Sequence, residues 1–203
     1  MSDQYKFTFD ATNTSILKMF EVERNKIKLQ KTAGSTFEVE TGTNDQNVEA
    51  VVAVTQTKLS KGYVETSIFS DQDGNGLFKE VFEIDVATSS IFNSNLEKHK
   101  FTFDESGNVT RDLELSKGKW KVDRVDLDED FAQVTLDGVN YVVKTEQERN
   151  GVEFELFRDD NQDGIWTKIA EGEASSEYLD PVNGSIDLVG IQNYLDASIG
   201  IIG

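Results

Sequence analysis

The pentapeptide KFTFD occurs twice, at 6–10 and 100–104, and the residues behind each copy go on corresponding. FEVERNKIKL (20–29) aligns with LELSKGKWKV (113–122), which sets Phe20, Val22, Ile27 and Leu29 against Leu113, Leu115, Trp120 and Val122. Further on, YVETSIFSDQDGNGLF (63–78) aligns with GVEFELFRDDNQDGIW (151–166). Phe69 then meets Phe157, Gly76 meets Gly164, and Phe78 meets Trp166. One match is chance, but three in the same order point to duplication, and whatever fold the first copy adopts must also suit the second. The sequence predicts two tandem diverged repeats, 1–98 and 99–180, able to share one compact domain, and a tail over 181–203.

Within each repeat, apolar and polar residues alternate with the period of a β-strand. KFTFD, MFEVE, KIKLQ, EAVVAVTQ, YVETSIF and LFKEVFEIDV read as strands in the first repeat. KFTFD, LELS, KWKVDRV, AQVTLDG, NYVVKTEQ, VEFELF and IWTKIAEG do so in the second. ERNK, SKGK, SKG and ERNG fall between strands, where hairpin turns are expected. The long side chains of ILKMFEVERNKIKLQK also suit a helix, but its counterpart holds a glycine turn, which favours a hairpin. The expected fold is all-β, an antiparallel sandwich or barrel. The one proline, Pro181, marks the end of this body. Beyond it Ile186, Val189, Leu195 and Ile199 lie near one helical face, with Ser185 as N-cap, which predicts a short C-terminal helix.

Charge narrows the partners. A formal net charge of −18 repels phosphate backbones and anionic lipid, so no nucleic-acid partner is expected, whereas divalent cations are attracted. No apolar stretch approaches the roughly 20 residues of a membrane span. With no cysteine, thiolate zinc sites and cysteine nucleophiles are ruled out. The lone histidine, His99, cannot build an imidazole-rich zinc site and reads as structural. Trp120 and Trp166 align with apolar positions and read as core. No nucleophile elbow, P-loop or dinucleotide fingerprint is present.

The chemistry that remains is oxygen chemistry in two loops. DQDGNG (71–76) puts Asp71, Asp73 and Asn75 at alternate positions, and DDNQDG (159–164) does the same with Asp159, Asn161 and Asp163. Glycine follows in both, as Gly76 and Gly164. Calcium takes six to eight hard oxygen ligands from a tightly curled chain, and glycine permits the curl. The main-chain carbonyls of Leu77 and Ile165 would come next. The same residue types also make an ordinary polar β-turn.

Both loops resemble the D-x-[DN]-x-[DN]-G calcium loop of EF-hands, dockerins and integrin-type β-hairpins. The resemblance implies calcium at Asp71, Asp73, Asn75 and Leu77, and at Asp159, Asn161, Asp163 and Ile165. It covers about six residues of each copy. An EF-hand has a bidentate glutamate at position 12, where this chain has Phe82 and Ala170. The hairpin version ends in aspartate at position 9, where Lys79 and Thr167 stand. Asp160 gives the second loop a third carboxylate, so that loop is expected to bind more tightly.

These features predict a non-enzymatic, β-rich calcium-binding protein in which the ion orders two hairpin tips in a structural, adhesive or sensing role. The alternatives are a carbohydrate-active hydrolase with structural calcium and a carboxylate pair, and a protein-interaction module. The biological partner is accordingly a protein or a carbohydrate. Acidity, absence of cysteine and the apolar ending LDASIGIIG are loosely similar to bacterial type I-secreted proteins. That resemblance implies an extracellular location without a cleaved signal peptide; a cytoplasmic one is the alternative.

Overall fold

A computed structural model describes residues 4–24, 26–88, 96–136, 138–176 and 178–179. The described chain is all-β and antiparallel. The helix expected around 185–199 lies outside the described residues. Two compact units divide between Ile84 and Asp85, upstream of the 98/99 boundary read from the sequence.

The first unit contains β1 (Gln4–Phe9), β2 (Ile16–Glu23), β3 (Lys26–Leu29), β4 (Ser35–Thr43), β5 (Glu49–Ser60), β6 (Tyr63–Ser70) and β7 (Phe78–Ala87), which runs across the division. In space its strands follow the order β4-β5-β6-β7-β1-β2-β3. The second holds β8 (Lys98–Phe103), β9 (Val109–Ser116), β10 (Lys119–Asp123), β11 (Glu129–Leu136), β12 (Val139–Glu148), β13 (Gly151–Arg158) and β14 (Trp166–Ser175). Its order is β11-β12-β13-β14-β8-β9-β10. Among the described residues each path is open: β3 and β4 are the ends of one, β10 and β11 of the other.

Turn chemistry sets the hairpins. Lys61-Gly62 and Lys117-Gly118 close two-residue turns with positive φ at both positions, the twist that suits neighbouring antiparallel strands. The stretch that also suited a helix forms the β2–β3 hairpin. β4 was not legible in the sequence. Only Phe37 and Val39 mark its inner face, and a bulge between Glu40 and Thr41 interrupts its alternation.

The core of the first unit gathers Phe7, Met19, Val51, Val54, Phe69 and Phe78, so the β1–β2 hairpin lies over the β5–β6 face. Phe7 meets Phe69 and Phe78 edge-on, with ring centroids 5.4 and 5.1 Å apart. In the second unit Phe101, Val142, Phe157 and Trp166 form the cluster, with Phe101 5.2 Å from Phe157 and 6.1 Å from Trp166. Each buried ring contributes about 1.5–3 kcal/mol by leaving water.

Trp120 departs from expectation, and His99 takes a structural place. Trp120 is half-buried on β10, outside that cluster, with the Lys100 ammonium 4.7 Å from its ring centroid. An apolar letter in an alternating strand marks a face and does not say which face is covered. His99 is buried, and its Nδ1–H donates to both Asp112 oxygens at 2.9 Å. Asp112 is cross-strand from Phe101, as Met19 is from Phe7.

Candidate metal centre

Both oxygen-rich loops sit at hairpin tips, 71–77 between β6 and β7 and 159–165 between β13 and β14. In the first, Asp71 Oδ1 accepts the Asn75 N–H at 3.0 Å and Oδ2 accepts the Gly76 N–H at 2.9 Å. Asp73 Oδ1 accepts the Asn75 N–H at 3.1 Å, and Asn75 Oδ1 accepts the Leu77 N–H at 2.7 Å. The second loop draws the same circuit. Asp159 accepts from Asp163 and Gly164 at 3.2 and 2.9 Å, Asn161 accepts from Asp163 at 3.4 Å, and Asp163 accepts from Ile165 at 2.8 Å.

The backbone matches as well. Positive φ falls at the fourth and sixth positions of each loop: 68° and 80° at Gly74 and Gly76, 57° and 78° at Gln162 and Gly164. This curl brings the side chains of positions 1, 3 and 5 together. A single hydrogen bond leaves a carboxylate oxygen further lone-pair capacity, so these contacts do not exhaust the donors.

The surroundings differ. The β4–β5 turn, 44–48, lies against the first loop. Gln46 Nε2 donates to the Asp73 carbonyl at 2.7 Å, and Asp45 N–H donates to the Gln72 carbonyl at 2.8 Å. Buried Asn44 closes that turn by accepting from the N–H groups of Gln46 and Val48, both at 3.0 Å. Gly74 leaves it room: a Cβ there would stand 2.2 Å from Asn44 Nδ2. In the second unit no hydrogen bond among the described residues ties a neighbouring turn to the loop in the way Gln46 and Asp45 do, and position 4 of the loop is Gln162.

Charge differs too. Asp71 is buried, whereas Asp159 is half-buried and Asp73, Asn75, Asn161 and Asp163 are exposed. Burial raises the Asp71 carboxyl above its ordinary value, and the neighbouring Asp73 carboxylate adds to the shift. Asp160 turns to Arg158, with Nε 2.5 Å from its Oδ1, so this third carboxylate of the second loop is already paired. Glu171 is committed to Lys168, whose ammonium also meets Glu97 and Glu155. Burial opposes the Lys168 charge, but these three carboxylates outweigh it and raise its pKa.

Among the described residues no three carboxylate or imidazole side chains gather as a metal-holding group. Each loop offers two free carboxylates and an amide oxygen, half or less of what calcium takes. Main-chain carbonyls and water would have to supply the remainder. Asn44 and Gln46 were missed in the sequence. Only the fold shows that the turn at 44–48 abuts this loop.

Compared with protein-family models, curated proteins and solved structures, the chain matches none of them.

Proposed function

We propose that this chain is a non-enzymatic calcium-binding protein, made of two tandem diverged repeats, in which the ion orders the tips at 71–77 and 159–165. The supporting observation is one hydrogen-bond circuit drawn twice, with different residues, around oxygens at positions 1, 3 and 5. A polar turn needs a single carboxylate to cap it. Here a second carboxylate is kept within the same curl, at a cost in repulsion that a divalent cation would remove. The duplication reading rests on the three collinear sequence matches together with the equivalent strand orders.

The donor set favours weak binding, on the order of 10⁻⁴–10⁻³ M, the range of extracellular calcium modules. Bracing by Gln46 and Asp45 lowers the ordering cost of the first loop, while Arg158 removes Asp160 from the second. The first loop is therefore the tighter site, by on the order of tenfold. Calorimetric titration after chelation checks this on D71N/D73N and D159N/D163N, each of which leaves one loop intact. At about tenfold excess over its dissociation constant, calcium should stabilise the native chain by about 1.4 kcal/mol. No heat and no shift in melting temperature at millimolar calcium would sink the proposal.

A further inference from the structure

The first unit ends in two unlike edges. Among the described residues β3 pairs only with β2, and β4 only with β5, so each offers a row of main-chain groups to a further strand. β3 is KIKL, exposed at every position. Ile27 and Leu29 are 66% and 60% exposed and share a face with their register partners Val22 and Phe20. Lys26 and Lys28 occupy the opposite face. Lys28 reaches Glu21 at 3.2 Å while its side chain stays 67% exposed. β4 carries exposed Glu38 and Glu40 alternating with Phe37 and Val39, and its regular part ends at the bulge after Glu40. A basic edge of 4 residues and an acidic edge of 9 residues, whose regular part is long enough to pair with all of β3, thus bound the strands of this unit.

We propose that β3 of one copy adds to β4 of a second copy and continues the sheet from molecule to molecule. In an antiparallel register Lys26 faces Glu40, Ile27 faces Val39, Lys28 faces Glu38 and Leu29 faces Phe37. All four cross-strand pairs are complementary. Lysines on an edge normally deter strand addition, and only an acidic partner strand lifts that deterrent. Like edges fail, because the apolar-matched register of two β3 strands sets lysine against lysine. Main-chain hydrogen bonds supply attraction, and the alternating side chains supply register. Because the joined edges differ, the contact is heterologous, and the assembly grows head to tail.

Sedimentation velocity on the full chain, in chelator and at low ionic strength, tests this separately from the calcium sites. From micromolar to millimolar protein, the average mass should climb above the 22.7 kDa of one chain. K26E/K28E and E38K/E40K should each lower the association constant, on the order of tenfold or more. Mixing the two variants should restore association, since each reversed edge then meets its opposite. I27S/L29S should weaken it with no change of charge. All six positions are exposed or half-buried at an edge, and circular dichroism confirms that each variant is folded. A mass that stays at 22.7 kDa throughout, reversed variants that associate like the native chain, or a mixture no better than either variant would each overturn the proposal.

Discussion

The two hairpin tips fold alike and are supported differently. Both curl through positive φ at positions 4 and 6, and both close the same circuit of aspartate and asparagine oxygens. The first rests on a neighbouring turn, buries its leading aspartate and has glycine where that turn presses in. The second carries glutamine at the same strained position. The cores below diverge in parallel. Tyr5 and Met19 flank Phe7, whereas His99 and Asp112 flank Phe101. Two units of equivalent strand order thus differ by a whole contact set in which both partners change together.

The largest expected effect follows from breaking one such set. His99→Ala leaves the Asp112 carboxylate buried without its partner and should cost about 3–5 kcal/mol in urea denaturation. The double variant H99Y/D112M installs the residues of the first unit and should recover most of that loss, because an apolar pair removes the stranded charge. A double variant as unstable as the single one would show that the two cores are not interchangeable.

The tips provide the next test. Gly74→Ala meets Asn44 and forces a side chain into φ of 68°, so a loss of about 2–3 kcal/mol is expected in thermal unfolding. At the equivalent position Gln162→Gly removes the strain of φ 57° and should gain up to about 1 kcal/mol. A loss at Gly74 clearly larger than the gain at Gln162 would locate the difference in the brace, and equal magnitudes would leave backbone strain alone.

The smallest effect is in proton binding. Burial, then the adjacent Asp73 charge, raises Asp71 above 3.8, so its contribution to stability grows as pH falls through its folded pKa and is absent at neutral pH. Asp10 and Asp104 run the other way. The Thr14 N–H lowers one, and the side chain and N–H of Asn108 lower the other. Their contribution is present above 3.8 and disappears below it. Carboxyl-carbon NMR in chelator should show Asp71 titrating above 3.8 and the other two below. A common midpoint for all three would contradict the hydrogen-bond picture.

Strand periodicity and turn letters made most of the architecture legible in the sequence. KFTFD falls in β1 and β8, and SKG and SKGK fall at the β5–β6 and β9–β10 turns. β4 was hidden because its alternation is short and broken by a bulge. The loop oxygens were legible because their spacing is local. Their support by Asn44 and Gln46 and the half-buried place of Trp120 beside Lys100 were not, since each depends on which residues distant in the chain become neighbours. Alternation also assigns residues to faces without ranking those faces by burial, which is why Trp120 was read as core.

One joint gives the tips a mechanical meaning. β1 is tied to β7 through Gln4↔Lys79 and Tyr5↔Phe78 among the described residues, and β8 to β14 through His99↔Trp166 and Lys98↔Thr167. Each tie begins one residue after an oxygen-rich loop. Under tension these short seams are where the front hairpin peels from the sheet behind it. If the proposed cation is held in the loop, it would act as a rivet beside the seam, and calcium concentration would set the force each unit withstands before it opens.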